Sequence, residues 1–162
     1  MNQPTPAADA PRADRRRWRV ALVASSWHRD LVDRALDSAR RRLAMAQEPG
    51  VDVDGVDVPG AFEIPLCVQR LARSGRYDAV IAAGLVVDGG IYRHDFVAAA
   101  VIDGLMRVQL DTDVPVLSAV LTPHAFHDHS THRGWFAEHL ALKGTEVADA
   151  CLQLLAVPAP AR

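Results

Sequence analysis

Three short stretches of this 162-residue chain combine residue types whose spacing could do chemistry. The first is Asp88-Gly89-Gly90-Ile91-Tyr92-Arg93-His94, where two glycines precede a guanidinium and an imidazole. Glycines between a buried strand and a helix start let backbone N–H groups converge on an anion at the positive end of the helix. Arg93 adds a permanent charge, and His94 a group that moves protons near neutral pH. A bare glycine pair is also an ordinary turn. No Gly-Lys-Ser/Thr follows it, and the dinucleotide fingerprint is missing. The second stretch is Gly60-Ala61-Phe62-Glu63. Glu63 opens a helical pattern, where a carboxylate complements the dipole, and it could also accept ligand hydroxyls. The third contains His124, His127, His129, His132 and His139, five of the seven histidines. Imidazoles are common zinc ligands, yet no H-E-x-x-H pairing and no cysteine accompany these. A polar surface loop and a phosphate-facing His or Arg therefore stand beside the metal reading.

These stretches need a scaffold, and the apolar pattern supplies one. Val20 to Ala24 is a continuous apolar run ending at Ser25-Ser26, which predict a helix cap. A helix should follow to about Ala46, with Leu31, Val32, Ala35, Leu36, Ala39 and Leu43 on one face. Val51, Val53, Val56 and Val58 alternate with aspartates around Gly55, which predicts an edge strand with a bulge at the glycine. A short helix follows Pro59-Gly60, with Ile64, Cys67, Val68 and Leu71 aligned and Pro65 in its first turn. Ala79 to Val87 has no charge and predicts a strand buried on both faces. Val97, Val101, Gly104, Leu105 and Val108 mark a third helix, and Val116 to Leu121 a fourth strand. A loop from Leu121 to Trp135 should lead to a last helix with Val147, Ala148, Cys151, Leu152 and Leu155 inside.

Four strands each followed by a helix imply an α/β three-layer sandwich, with a four-stranded parallel sheet and helices on both faces. The charged second strand belongs at an edge, which gives the order 2-1-3-4 and puts ligands beyond the carboxyl ends of the strands. Residues 1–17 read as a disordered lead-in, 18–157 as one domain and 158–162 as a tail. The chain is 49 % apolar and 23 % charged with net charge -2, so composition gives no support to nucleic-acid binding. No apolar run has the length of a membrane span and no secretory h-region is present, so a cytoplasmic address is expected. Cys67 and Cys151 sit among apolar neighbours and read as small core residues. Six of the nine aromatics, Trp27, Phe62, Tyr92, Phe126, Trp135 and Phe136, fall after strands. Rings at that end suggest a flat ligand stacked there; alternatively they plug the sheet end or an oligomer contact.

Val58-Pro59-Gly60-Ala61-Phe62-Glu63-Ile64-Pro65, then Gly89-Gly90 through His94-Asp95-Phe96-Val97, then Lys143-Gly144, together resemble the lumazine synthases. The likeness spans roughly residues 18–157. Asp88 to Val97 and the histidine-rich stretch are similar to the divergent second bacterial type, which forms decamers. The resemblance implies condensation of 5-amino-6-(D-ribitylamino)uracil with 3,4-dihydroxy-2-butanone 4-phosphate, two small molecules, with no metal or organic cofactor. It also implies a homo-oligomer of pentamers. By motif, Trp27 would stack on the pyrimidine. Ala61, Phe62, Glu63 and the backbone at Leu85, Val86 and Val87 would hold the ribityl amine. Gly90 and Ile91 would line the phosphate side. Ser118, the loop with His132 and Arg133, and Lys143 would come from a neighbouring subunit.

The chain departs from that pattern at four places. Arg93 stands where the family has its acid/base histidine, and His94 where it has an aromatic. Guanidinium is a poor proton shuttle, so either His94 takes over or Arg93 acts as an electrostatic clamp. Ile91-Tyr92 replaces a threonine pair, and Asp88 replaces an arginine. The family's phosphate-binding arginine falls in a longer loop here, which leaves His132 and Arg133 as candidates. These departures predict a slow enzyme with a weak grip on phosphate. The competing readings are a lumazine- or riboflavin-binding scaffold without turnover, and a metal enzyme using the histidines.

Overall fold

A computed structural model describes residues 17–157 apart from Tyr92, Ala125 and 127–129, with the backbone alone at 130–132. The N-terminal lead-in to residue 16 and the tail from 158 lie outside the described residues. Strands β1 (Arg17–Ser25), β2 (Gly50–Val58), β3 (Ala79–Leu85) and β4 (Val116–Leu121) pair in parallel in the order β2-β1-β3-β4. The helices between and after them are α1 (Arg29–Ala44), α2 (Ile64–Arg73), α3 (His94–Thr112) and α4 (Ser130–Ala156). The sheet order and the α/β class follow the sequence reading.

The period of two along a strand sorts β1 onto two cores. Val20, Leu22 and Ala24 pack with α1 and α4, whereas Ala21 and Val23 pack with α2 and α3. All seven residues of β3 are buried, as its charge-free run predicts. β2 pairs only with β1, and its aspartates face solvent or arginines, among them Asp52 with Arg17 and Asp54 with Arg19. Two close crossings set the helix layers. A Cβ on Gly144 of α4 would stand 2.8 Å from both Cα and carbonyl carbon of Ala35 in α1. One on Gly104 of α3 would stand 2.9 Å from Pro65 Cβ in α2.

Four expectations need correction. The bulge at Gly55 is not there: β2 stays in register residue for residue from Arg17↔Gly50 to Ser25↔Val58, with Gly55 opposite Leu22. Ser25 and Ser26 do not cap α1, because Ser25 ends the strand and Ser26 is bonded to β2; His28 occupies the cap position instead. β1 begins at Arg17, inside the stretch expected to be a lead-in. The loop expected to reach Trp135 gives way to helix at Ser130, so His132, Arg133, Trp135 and His139 are all helical. Of the two cysteines, Cys151 is fully buried and Cys67 only half-buried.

Candidate active site

The first wall of the site is the turn from β1 into α1. Ser26 donates both its backbone N–H (3.0 Å) and its hydroxyl (2.9 Å) to the Val58 carbonyl, which joins the ends of β1 and β2. The chain then passes through His28 at φ 52°, a left-handed conformation that is uncommon outside glycine. The His28 carbonyl accepts the N–H groups of Leu31 and Val32, so the turn runs directly into α1. Arg29 fastens it further by donating to Asp57 and Asp33, and the Asp57 bond is the main cause of its raised pKa. This turn leaves Trp27 71 % exposed beyond the sheet. An indole left in water on a well-tied turn is a surface for a flat partner.

The neighbouring strand end supplies a second ring. After Pro59 a 3₁₀ turn, Ala61–Glu63, leads into α2, and Phe62 is 65 % exposed upon it. Glu63 Oε2 accepts the Gly60 N–H at 2.8 Å, so the carboxylate caps its own helix entry as the dipole argument expects. Ala61 is half-buried beside it. At the end of β3, Leu85 and Val86 are buried and Val87 half-buried. The Val86 N–H is already donated to the Leu121 carbonyl at 2.9 Å, so that donor serves the sheet.

The glycine turn follows. Gly90 has φ 75°, which suits glycine, and Ile91 beyond it is exposed. The Gly90 N–H donates to Asp88 Oδ1 at 2.8 Å, and the same oxygen lies 3.9 Å from His94 Nδ1. Arg93 turns the other way. It forks onto Asp95 at 3.1 and 2.9 Å and lies over the Phe96 ring, 4.4 Å from its centroid. The Asp95 carboxyl is held below the usual range chiefly by its hydrogen bond from Arg93, and Arg93 is raised by the same bond. Of the two candidates for proton transfer, then, His94 faces the glycine turn and Arg93 is engaged elsewhere.

The remaining expected site residues lie on β4 and α4. Ser118 is exposed on β4, and its hydroxyl accepts the Val120 N–H at 3.3 Å. Lys143 on α4 pairs with Glu146 at 2.7 Å. Arg133 pairs with Asp30 of α1, which lowers the Asp30 pKa. The His132 side chain and Tyr92 lie outside the described residues. Since α3 and α4 cover opposite faces of the sheet, one chain brings Trp27, Phe62 and His94 to the strand ends but does not bring Lys143 to them.

The post-strand rings divide into two groups. His28, Phe126, Phe136, Trp135 and His139 form a continuous series with centroids 5.4, 5.1, 4.9 and 5.0 Å apart, and Phe136 is buried in the core. Phe126 and Phe136 therefore pack the head of α4 against the β1–α1 turn and do not offer a stacking face. Trp135 lies flat on His139 at the rim of a 430 Å³ cleft with Thr122 and His124. Among the described residues no three His, Cys, Asp or Glu side chains gather as a metal site; His127 and His129 lie outside them. Among the described residues no helix is long and apolar enough to cross a membrane. Sequence reasoning missed Asp88 as a partner of both Gly90 and His94. Its signal was present: an Asp two residues before a glycine that needs positive φ is a turn-former.

Fold and site together define a parallel α/β protein with exposed rings, a glycine turn and an imidazole at the carboxyl ends of its strands. In open sheets of this kind ligands bind beyond the carboxyl ends of the strands, at the switch point that here falls between β1 and β3. The sequence model of the 6,7-dimethyl-8-ribityllumazine synthases matches residues 17–159, and the chain belongs to that family. It is 61 % identical over 132 residues, 82 % of this chain and 85 % of the relative, to the 6,7-dimethyl-8-ribityllumazine synthase of Rhodococcus erythropolis. It is 52 % identical over 154 residues, 93 % of this chain and 89 % of the relative, to 6,7-dimethyl-8-ribityllumazine synthase 2 of Bradyrhizobium diazoefficiens. A third relative, synthase 2 of Pseudomonas syringae pv. tomato, is 46 % identical over 153 residues, 94 % of this chain and 89 % of its own.

Proposed function

We propose that this chain is a cytoplasmic lumazine synthase that joins 5-amino-6-(D-ribitylamino)uracil to 3,4-dihydroxy-2-butanone 4-phosphate. The observation that carries the reading is the pair of exposed rings, Trp27 and Phe62, on adjacent strand ends in a chain of this family. Trp27 stacks on the pyrimidine. Ala61, Phe62, Glu63 and the backbone from Leu85 to Val87 border the ribityl amine, and Gly90 and Ile91 the phosphate. The substrate amine attacks the ketone, phosphate leaves and the ring closes; the atoms balance as one orthophosphate and two waters released. His94 moves the protons. Arg93, tied to Asp95, acts through its charge alone. Much of the acceleration comes from holding two substrates together, worth at best roughly 7–11 kcal/mol. Proton transfer adds about 10²–10⁴-fold. With Arg93 in place of the family's histidine turnover is slow, and with the Gly90 N–H occupied by Asp88 phosphate is held weakly.

The site is completed between copies of the chain, in a pentamer-based homo-oligomer that extends to a decamer. Ser118, His132, Arg133 and Lys143 belong to the subunit beside the one that supplies Trp27 and His94. Two observations support this. Lys143 and His94 lie on opposite helix layers. The α2–α3 face leaves Phe62 and Leu66 exposed at a 320 Å³ groove and Phe96, Met106 and Leu110 exposed along α3, large apolar side chains of the kind an interface covers. The test is a lumazine-forming assay with wild type, Trp27→Ala, His94→Ala and Arg93→Ala, together with the particle mass in solution. The expected results are product from wild type, a raised KM for the uracil with Trp27→Ala, and a kcat loss of about 10²-fold with His94→Ala. Arg93→Ala should act far more on KM than on kcat. Quenching of Trp27 by riboflavin with no product at saturating substrates would instead select a binding scaffold, the reading that the capped Gly90 N–H favours.

A further inference from the structure

The Asp88 carboxylate makes two contacts that pull catalysis and phosphate binding in opposite directions. Its Oδ1 accepts the Gly90 N–H at 2.8 Å, the backbone donor of the glycine turn. The same Oδ1 faces His94 Nδ1 at 3.9 Å, longer than a hydrogen bond and within ion-pair reach. The other charged groups around His94 are Arg93 and Asp95 on the same helix start, and those two are closed on each other. Asp88 is thus the described charge directed at the imidazole. A carboxylate beside Nδ1 favours the tautomer with the proton on that nitrogen and leaves Nε2 as the atom that can exchange protons.

We infer that Asp88 is a positioning residue: it orients and polarises His94 for proton transfer while occupying, as an internal anion, the backbone donor that would otherwise serve the substrate's phosphate. The second half rests on the phosphate placement proposed above. The turn explains why a carboxylate can do both. Positive φ at Gly90 bends the backbone back over Asp88, and the helix start presents His94 four residues after Gly90 on the same side of that oxygen. Arginine or alanine at position 88 would leave the Gly90 N–H free but take the negative charge away from the imidazole.

Asp88→Asn removes the charge while its amide oxygen still accepts the Gly90 N–H, so it reports the charge alone. Asp88→Ala, run beside it, frees the N–H as well and should bind phosphate more tightly than Asp88→Asn. We compare wild type, Asp88→Asn, His94→Gln and the double variant, varying the phosphorylated ketone at saturating uracil. Inorganic phosphate binding and the ring-nitrogen NMR shifts of His94 are measured in the same proteins. Asp88→Asn should lower kcat about tenfold and lower the KM for the phosphorylated ketone, with tighter inorganic phosphate binding, by about fivefold. Fivefold is the scale of removing one negative charge about 4 Å from another in water. Damage to the fold would raise KM instead. His94→Gln should lower kcat with KM unchanged, and the double variant should be no slower than His94→Gln alone. In wild type the ring shifts should show the Nδ1–H form, and in Asp88→Asn a mixture. The inference is overturned by unchanged kcat in Asp88→Asn, by a raised KM, or by losses that multiply in the double variant. If no variant forms product, the proposed reaction fails, while the NMR shifts and phosphate titrations still decide the role of Asp88.

Discussion

Replacing Gly144 with alanine isolates what the Lys-Gly pair does for the fold from what it does for substrate. Alanine is the better helix former by about 1 kcal/mol, so an unconstrained helix would be stabilised. At this crossing the new methyl would meet the Ala35 backbone, with Cα and carbonyl carbon both 2.8 Å away and the carbonyl oxygen nearer still. Carbon atoms rest about 3.5–4.0 Å apart, so α1 and α4 must separate by about 1 Å along their shared face. No rotamer change can relieve a contact with backbone. Overpacking of this kind costs about 1–3 kcal/mol or more, and the rigid opponent puts it at the upper end. Subtracting the propensity gain leaves a destabilisation of about 2 kcal/mol. For a chain of this size that lowers Tm by about 4–8 °C. The assay is thermal and urea unfolding at one fixed protein concentration, since association contributes to apparent stability. Gly104→Ala is the comparison, because its new methyl meets the edge of the Pro65 ring instead of backbone and α2 can yield to it. A Gly144→Ala protein as stable as wild type, or more so, would refute the packing argument.

Three other outcomes are expected. Burial pushes the Cys151 thiol up to about 12, so Cys151 should resist thiol reagents at pH 8 until the protein unfolds, while half-buried Cys67 reacts slowly; mass spectrometry of labelled native protein checks the order. Asp54 is held low by Tyr77 and Arg19, Asp30 by Arg133 and Asp95 by Arg93, each below its usual value of 3.8. The unfolded chain therefore takes up protons first, so stability should be intact above about pH 4 and fall beneath it, and urea midpoints should fall less steeply with pH in Asp54→Asn. Trp27→Ala should abolish most of the fluorescence quenching that a lumazine or flavin produces, at little cost in Tm because the indole is exposed.

Particular residues show how much of this was legible in the sequence. The charge-free run from Ala79 and the aspartates of β2 placed those strands at the centre and the edge, because burial on one or both faces writes itself into polarity. Gly55 suggested a bulge, but that inference used local propensity where the pairing with β1 decides. Ser26 suggested a helix cap; its hydroxyl goes to Val58, a partner 32 residues away. The start of α4 was hidden for the same reason. Its polar first turn is held by the pairing of Arg133 with Asp30 and by Phe126 and Phe136 packing on the β1–α1 turn, contacts that no local window contains. Trp27, Phe62 and His94 were legible as residues at the carboxyl ends of the strands because they follow strands in the chain. Asp88 was passed over as a loss of positive charge, and its two contacts depend on a backbone bend at Gly90.

The most direct test of the central claim is stoichiometric. Purified protein, treated with chelator and supplied with both substrates, is followed for 6,7-dimethyl-8-ribityllumazine and for orthophosphate over many turnovers. A lumazine synthase should give equal amounts of the two products, far in excess of enzyme, with the rate lowered about 10²-fold by His94→Ala. Phosphate without lumazine, or no product at saturating substrates, would contradict that claim.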